Sequence, residues 1–169
     1  TAADLEERLI GTSEFMPRSA IVCLFPYHVS HKGPTNLSRY TWATDYHLVV
    51  TDYLQRLVDE LKTTAPDASF SIHCDTSPLA DRYMAYLAGL GFYGKNKCFI
   101  NPTWGSYIVI GTVLTTLEFE SNTPMTDTCM GCNRCITSCL GQCLDGNAFN
   151  YATCKSYLTQ KKGDLTDNE

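Results

Sequence analysis

The spacing of apolar residues along the chain predicts alternating strands and helices. Residues 19–25 form a short, nearly continuous apolar run that ends at Pro26, which is typical of a strand buried on both faces. In residues 45–62 apolar side chains return every three or four positions, the period of an amphipathic helix. Residues 70–74 alternate between apolar and polar, which predicts a second strand. This order favours a right-handed crossover in an α/β sheet.

A second helix and two further strands follow in the pattern. Ser77 and Pro78 predict the N-cap and the first residue of a helix that ends at Gly91. Residues 98–100 and 106–115 are typical of two strands joined by a turn. From residue 117 the chain becomes polar and leads into a cysteine-rich segment. We therefore predict an α/β domain over residues 1–117 and a separate segment over residues 118–169.

Composition and charge narrow the possible partners. The 169 residues are 44% hydrophobic and 18% charged, which favours a globular domain with a sizeable core. No apolar run approaches the roughly 18 residues that a membrane span needs, so we expect no membrane insertion. The net charge of −5 disfavours binding of nucleic acid by bulk charge, and such a partner would need a local basic surface or a segment outside this chain. The acidic start resembles no secretory signal and lacks an initiator Met, which favours an internal fragment of a cytoplasmic protein.

Nine cysteines are the strongest chemical signal in the composition, and their odd number disfavours an extracellular disulfide framework. Four of them follow the spacing C-x-x-C-x-x-C-x-x-x-C, which is typical of iron–sulfur ligands: Cys129, Cys132, Cys135 and Cys139. Structural zinc is the main alternative, but zinc sites usually use two separated C-x-x-C pairs. Leu140 stands where ferredoxin sequences carry proline, which leaves the role of Cys143 open.

The cysteine-rich segment has too few cysteines for two complete clusters of the ferredoxin type. Two ferredoxin-type clusters need eight thiolates, whereas the segment from Cys129 to Cys154 offers six, so we expect a further cysteine group outside the sequence. The isolated Cys23, Cys74 and Cys98 are assigned to packing. The four histidines show no metal-ligand spacing and are interpreted as ordinary surface or core residues: His28, His31, His47 and His73.

Asp75 is the candidate for acid–base chemistry. It follows a predicted strand, at the edge where α/β folds place their ligands, and its carboxyl group could act as a general acid. The alternative is that Asp75 caps the following turn. The G-x-G-x-x-G pattern at 89–94 closes a helix instead of opening one, so we interpret it as a C-cap with tight turns. Lys95 and Lys97 could then hold an anionic ligand or simply be solvated.

Five stretches together resemble the epoxyqueuosine reductase family: residues 39–47, 75–82, 88–96, 129–139 and 154–159. That family consists of cobalamin-dependent enzymes of tRNA queuosine synthesis with two [4Fe-4S] clusters, and it is related to corrinoid reductive dehalogenases. The resemblance implies a cobalamin-binding-type α/β (α+β) domain with a ferredoxin-like cysteine-rich C-terminal segment. It implies that epoxyqueuosine in the tRNA anticodon loop is reduced with electrons that an electron-donor protein supplies through the clusters.

The resemblance also implies roles for individual residues. Asp75 matches the proton donor of the family. The first cluster would be held by Cys129, Cys132 and Cys135, and the second in part by Cys139 and Cys154. Ser156 would contact cobalamin, and Lys95 and Asn96 are candidates for the corrin or tRNA surface. Since family members continue to a second group of three cysteines, we expect the chain alone to assemble clusters poorly and to be inactive.

Two other functions remain open at this point. One is a corrinoid reductase or dehalogenase-like paralogue that acts on a small molecule, which the change from proline to Leu140 favours mildly. The other is a non-enzymatic iron–sulfur electron carrier, which would leave the α/β domain without a role. The sequence makes no prediction about the oligomeric state.

Overall fold

Three strands form the main sheet of the computed structural model, which describes residues 12–30, 37–145 and 148–167. They are β1 (Ser19–Pro26), β2 (Phe70–Cys74) and β5 (Ile108–Thr115), and β5 lies between the other two. Both neighbours pair with β5 in the antiparallel sense. All three strands were predicted, with bounds within two residues.

Helix α1 (Tyr46–Thr64) connects β1 to β2 and covers one face of the sheet. The Asp45 side chain caps it by accepting a hydrogen bond from the backbone N–H of His47 at 2.9 Å. The buried face of the helix consists of Val50, Leu54 and Val58. The predicted helix over residues 45–62 is confirmed, because the same stripe that gave the 3.6-residue period packs on the sheet.

The predicted crossover connects two strands of one sheet that are not neighbours. Strands β1 and β2 run parallel to each other, as a crossover requires, but β5 is inserted between them. In the centre of the sheet Gly111 is paired with Cys23 on one side and Cys74 on the other. A Cβ at Gly111 would stand 2.7 Å from Val50 Cγ1, so glycine here lets α1 pack closely on the sheet.

Helix α2 (Asp81–Leu87) covers the opposite face of the sheet through Met84, which packs with Leu114. It begins three residues later than Pro78, because Ser77 Oγ accepts a hydrogen bond from Leu79 N at 3.4 Å and forms a turn instead of a helix cap. It ends at Leu87, before the predicted Gly91.

The glycines after α2 act as a cap and as tight turns, as predicted. Gly89 adopts a φ of +71°, and the amide of Leu90 donates to Ala85 O, the pattern of a Schellman motif. The chain then forms a hairpin of β3 (Phe92–Tyr93) and β4 (Phe99–Ile100). The two predicted strands joined by a turn are confirmed as β4 and β5, although β4 pairs with β3 and belongs to a different sheet from β5.

Short elements make up the cysteine-rich segment: α3 (Arg134–Thr137), a 3-10 turn (Tyr151–Thr153) and α4 (Lys155–Leu158). The two main clusters of buried apolar side chains belong to residues before 117, but the division of the chain into two domains stays a prediction. Within the described ranges, no helix is long and apolar enough to cross a membrane. His31 and the acidic first residues lie outside those ranges.

Candidate active site

Asp75 occupies a strained backbone position directly after β2. Its φ is +60°, a left-handed conformation that residues other than glycine rarely adopt. The amide of Thr76 donates to Cys74 O at 2.7 Å, which closes a three-residue turn around Asp75. Strain of this kind costs about 1–3 kcal/mol and is concentrated at functional sites. The turn directs the carboxyl group of Asp75 toward the start of α1.

Residues at the start of α1 hold the Asp75 carboxylate. The Tyr46 hydroxyl donates to Asp75 Oδ2 at 2.6 Å, and His47 Nε2 stands 3.4 Å from the same oxygen. On the other side of the imidazole, His47 Nδ1 lies 2.8 Å from Asp45 Oδ1. The hydrogen bond to Asp75 raises the pKa of Tyr46, so this phenol keeps its proton. The hydrogen bonds from the backbone and ring of His47 lower the pKa of Asp45. The His47 ring therefore lies between two acidic side chains, those of Asp45 and Asp75, because each of its nitrogens contacts one of them.

The interpretation of His47 as an ordinary histidine is therefore incomplete, since the structure places it against Asp75. Metal-ligand spacing was the wrong test for this residue, because its partner lies on another element. One available signal was its place directly after the cap of α1, in a stretch that resembles the reductase family.

A cavity of about 760 Å³ opens beside Asp75, at the edge of the sheet where β2 ends. Its size is typical of a small-molecule or cofactor site. Five tyrosines contribute to its wall: Tyr27, Tyr40, Tyr46, Tyr83 and Tyr93. Aromatic faces of this kind suit a flat or conjugated ligand, while their hydroxyl groups can bind its polar edge. The sequence analysis missed this wall, because the tyrosines come from five separate stretches of the chain.

A second carboxyl group, that of Asp81, lines the same cavity. Asp81 is half-buried, and its Oδ1 is enclosed without a hydrogen-bond partner among the described residues. Burial and the negative charge of Asp75 raise the pKa of Asp81 to about 6. The guanidinium of the neighbouring Arg82 is directed to a backbone carbonyl, since Arg82 Nη1 donates to Lys97 O at 2.9 Å.

The predicted cofactor contacts lie elsewhere, because Lys95, Asn96 and Ser156 do not line this cavity. Lys95 Nζ donates to Asn133 Oδ1 at 2.9 Å, which ties the turn after β3 to the cysteine-rich segment. Asn96 Oδ1 accepts from Cys98 N at 3.1 Å and so stabilises its own turn. Ser156 is exposed on α4, with its Oγ 3.4 Å from Gln160 Nε2. Their roles toward cobalamin or tRNA stay predictions.

The cysteines of the C-terminal segment are free thiols. Cys139 Sγ lies 3.3 Å from Cys143 Sγ, and the Cys143 thiol also forms a hydrogen bond with the thiol of Cys154. Hydrogen bonds from the backbone of Lys95 and Gly131 lower the pKa of Cys129, which favours its thiolate form. In the portion of the chain that is described, no three His, Cys, Asp or Glu side chains form a group that could hold one metal ion. The ligand assignments therefore stay predictions.

The three isolated cysteines differ in their environments. Cys74 is buried and Cys23 packs against the same core cluster, so both packing predictions are confirmed. Cys98 is exposed, and its assignment to packing is wrong. It precedes Phe99 on the hairpin, and the side chain of Phe99 takes the buried position.

Comparisons with known proteins agree on one family. The family model described as epoxyqueuosine reductase QueG, DUF1730, matches residues 13–76. The epoxyqueuosine reductase of Listeria monocytogenes is 35% identical over 174 residues, which cover 96% of this chain and 46% of that protein. The chain spans about a third to a half of the length of the curated relatives it matches.

Solved structures give the same result. An epoxyqueuosine reductase crystallised with an epoxyqueuosine-modified tRNA stem loop is 33% identical, with a TM-score of 0.74 over 88% of this chain and 42% of that one. The Bacillus subtilis enzyme, solved with an aspartate-bearing catalytic loop swung out of its active site, is 32% identical, with a TM-score of 0.73 over 88% of this chain and 41% of that one. Over the part that it spans, this chain is similar to the epoxyqueuosine reductase family in both sequence and fold.

Proposed function

We propose that the protein carrying this chain reduces epoxyqueuosine in the tRNA anticodon loop to queuosine, with Asp75 as a proton donor. The observation that carries the proposal is an acid at the rim of a tyrosine-lined cavity, held by Tyr46 and His47 in a strained turn. Similarity to the epoxyqueuosine reductase family supports it, as does the relative solved with the modified stem loop. The proposed location is the cytoplasm.

The chemistry explains why an acid is needed. Removing the oxygen of an epoxide breaks two C–O bonds, forms a C=C bond and releases water, and it consumes two electrons and two protons. An oxygen that leaves as an alkoxide is a poor leaving group, so a positioned acid lowers the barrier by protonating it. The Asp75 side chain is 61% exposed and can therefore reach a substrate in the cavity. Tyr46 and His47 orient the carboxyl group through its Oδ2.

Cobalamin and two [4Fe-4S] clusters are the proposed cofactors. The open, aromatic cavity fits a flat macrocycle in its chemistry, and the free thiols fit iron–sulfur ligation. The proposed ligands are Cys129, Cys132 and Cys135 for one cluster, and Cys139 and Cys154 for part of the other. A corrinoid bound over the cavity would supply the electrons for C–O cleavage, and an electron-donor protein would reduce the clusters.

The test uses the protein that carries this chain, reconstituted anaerobically with iron, sulfide and cob(II)alamin. An epoxyqueuosine-containing stem loop is the substrate, and mass spectrometry measures queuosine. We expect Asp75→Asn to lower the rate by at least about 10²-fold, the usual contribution of a positioned acid, while the EPR signals of the cofactors stay unchanged. Asp67→Asn, in an exposed turn, is the matched control and should keep the wild-type rate.

Two results would contradict the proposal. Full activity of the Asp75→Asn protein would show that Asp75 is not the acid. Conversion of a small epoxide or organohalide, with no conversion of the stem loop, would support the small-molecule reductase instead.

A further inference from the structure

The reaction proposed above consumes two protons, and Asp75 carries only one. We propose that Asp81 is the second acid of the site and delivers the proton that completes the departing water. This inference rests on the proposed function. It concerns a residue that has no role in the sequence analysis beyond its place in a matched stretch.

The position of Asp81 gives it access to the same substrate. Asp75 and Asp81 are separated by a short turn, and both line the cavity of about 760 Å³. Asp81 Oδ1 is enclosed and has no hydrogen-bond partner among the described residues. An unpartnered carboxylate oxygen in such a place is destabilising, whereas a protonated carboxyl group or a hydrogen-bond donor on a bound ligand would relieve the penalty.

The surroundings of Asp81 favour its neutral form. Burial and the charge of Asp75 act in the same direction on its pKa, and the guanidinium of Arg82 is engaged by Lys97 O. The other titratable groups that face it across the cavity or from β2 are neutral in their protonated forms: Tyr27, Tyr40, Tyr46, Cys74, Tyr83 and Tyr93. A ligand that covers the cavity would remove more water from Asp81, so the proton would be held more firmly in the complex.

The two carboxyl groups differ in their hydrogen-bond partners. Asp75 is fixed by a hydrogen bond from Tyr46 and by the contact with His47, whereas Asp81 Oδ1 accepts no hydrogen bond from the residues that the structure describes. Such a difference in surroundings suits two acids to different steps of one reaction. In the balanced reaction both C–O bonds break and the C=C bond forms, and a bound reduced cofactor would supply the two electrons. Asp75, in its protonated form, supplies the first proton to the oxygen, and Asp81 supplies the second as water leaves.

Titration of the carboxyl groups tests the inference without turnover. The protein is labelled with ¹³C at the aspartate carboxyl carbons, and NMR follows each group with pH. We expect one aspartate to titrate near pH 6, to be absent from the Asp81→Asn protein, and to titrate at lower pH in the Asp75→Asn protein. Asp67→Asn should leave this titration unchanged. The absence of such a group, or its insensitivity to Asp75→Asn, would overturn the inference.

Kinetics on the reconstituted protein provide the second test. Asp81→Asn should lower kcat by about 10²-fold with little change in KM, and it should remove the fall in rate as pH rises through the titration of this acid. Asp81→Glu, which restores a carboxyl group, should recover part of kcat. A higher KM with unchanged kcat would overturn the inference, because it would make Asp81 a binding residue.

The two proposals can fail separately. If the wild-type protein does not convert the stem loop, the proposed function fails, and the titration alone decides whether Asp81 is an acid coupled to Asp75. If Asp81→Asn prevents folding, the titration of Asp81 in the Asp75→Asn protein still decides whether the two carboxyl groups are coupled.

Discussion

The backbone at Asp75 allows a stability test that needs no cofactor. We compare Asp75→Ala with Asp75→Gly, because both remove the carboxyl group and its contacts with Tyr46 and His47. At most positions alanine is the more stable of the two by about 0.5–1 kcal/mol, since glycine loses more conformational freedom on folding. At a φ of +60° the order should reverse, because a Cβ in the left-handed region costs about 1–2 kcal/mol.

The expected magnitude follows from these two opposing effects. The strain avoided by glycine exceeds its entropic penalty, so the Asp75→Gly protein should be more stable than the Asp75→Ala protein by about 1 kcal/mol. Urea unfolding of small proteins has slopes of about 1–3 kcal/mol per molar, so the midpoints should differ by about 0.5 M. Circular dichroism at several urea concentrations measures the two midpoints.

The matched control lies in the exposed part of α1. Asp59 is an exposed helical residue, and there Asp59→Ala should be more stable than Asp59→Gly by about 1 kcal/mol, the usual helix order. The prediction is therefore a change of sign between two aspartates. If the alanine variant is the more stable at both positions, the backbone at Asp75 is not strained. The inference that the position of this carboxyl group lowers the stability of the fold would then be wrong as well.

Three further predictions concern the core and the cavity. Leu54→Ala should lower the free energy of unfolding by about 2–5 kcal/mol, because Leu54 is 1% exposed, whereas Leu48→Ala on the exposed side of the same helix should change it little; urea unfolding measures both. Gly111→Ala should cost about 1–3 kcal/mol in the same assay, because the new Cβ would stand 2.7 Å from Val50 Cγ1. For Asp81, whose pKa is raised from 3.8 to about 6, the folded state binds the proton more tightly than the unfolded state, so its contribution to stability falls as pH rises between these values. Asp81→Asn should therefore gain about 1 kcal/mol over the wild type between pH 4 and pH 7, a value reduced for partial exposure, and equal pH profiles of the two proteins would contradict this.

Local pattern predicted the elements of this fold better than their arrangement. The helix after Asp45 and all three strands of the main sheet follow from periodicities of 3.6 and 2, because each element buries one face or both faces against the core. The insertion of β5 between β1 and β2 depends on pairing between segments far apart in sequence, which no local period encodes. The start of α2 was misplaced for a different reason: Ser77 and Pro78 can serve equally in a turn, and here they do.

The sequence likewise predicted one residue of the candidate site but not the residues around it. Asp75 was found because its position after a strand is visible in the sequence, and the resemblance to a known family strengthened its role. Tyr46 and His47 were missed as its partners, since 29 residues separate Tyr46 from Asp75 and only the folded chain brings them together. Asp81 was missed because its burial, which makes it unusual, arises only in the folded chain and leaves no local pattern in the sequence.

Two departures from ordinary folding rules lie beside one cavity. The sheet and α1 have regular backbones, with a central strand that is buried over most of its length, a capped helix and a glycine where the helix packs closely. Beside this regular frame, Asp75 has a left-handed backbone and Asp81 has an enclosed oxygen without a partner. Each feature lowers stability, and a ligand in the cavity could use both. Two such features at one rim are explained if the two carboxyl groups are held ready for a shared substrate.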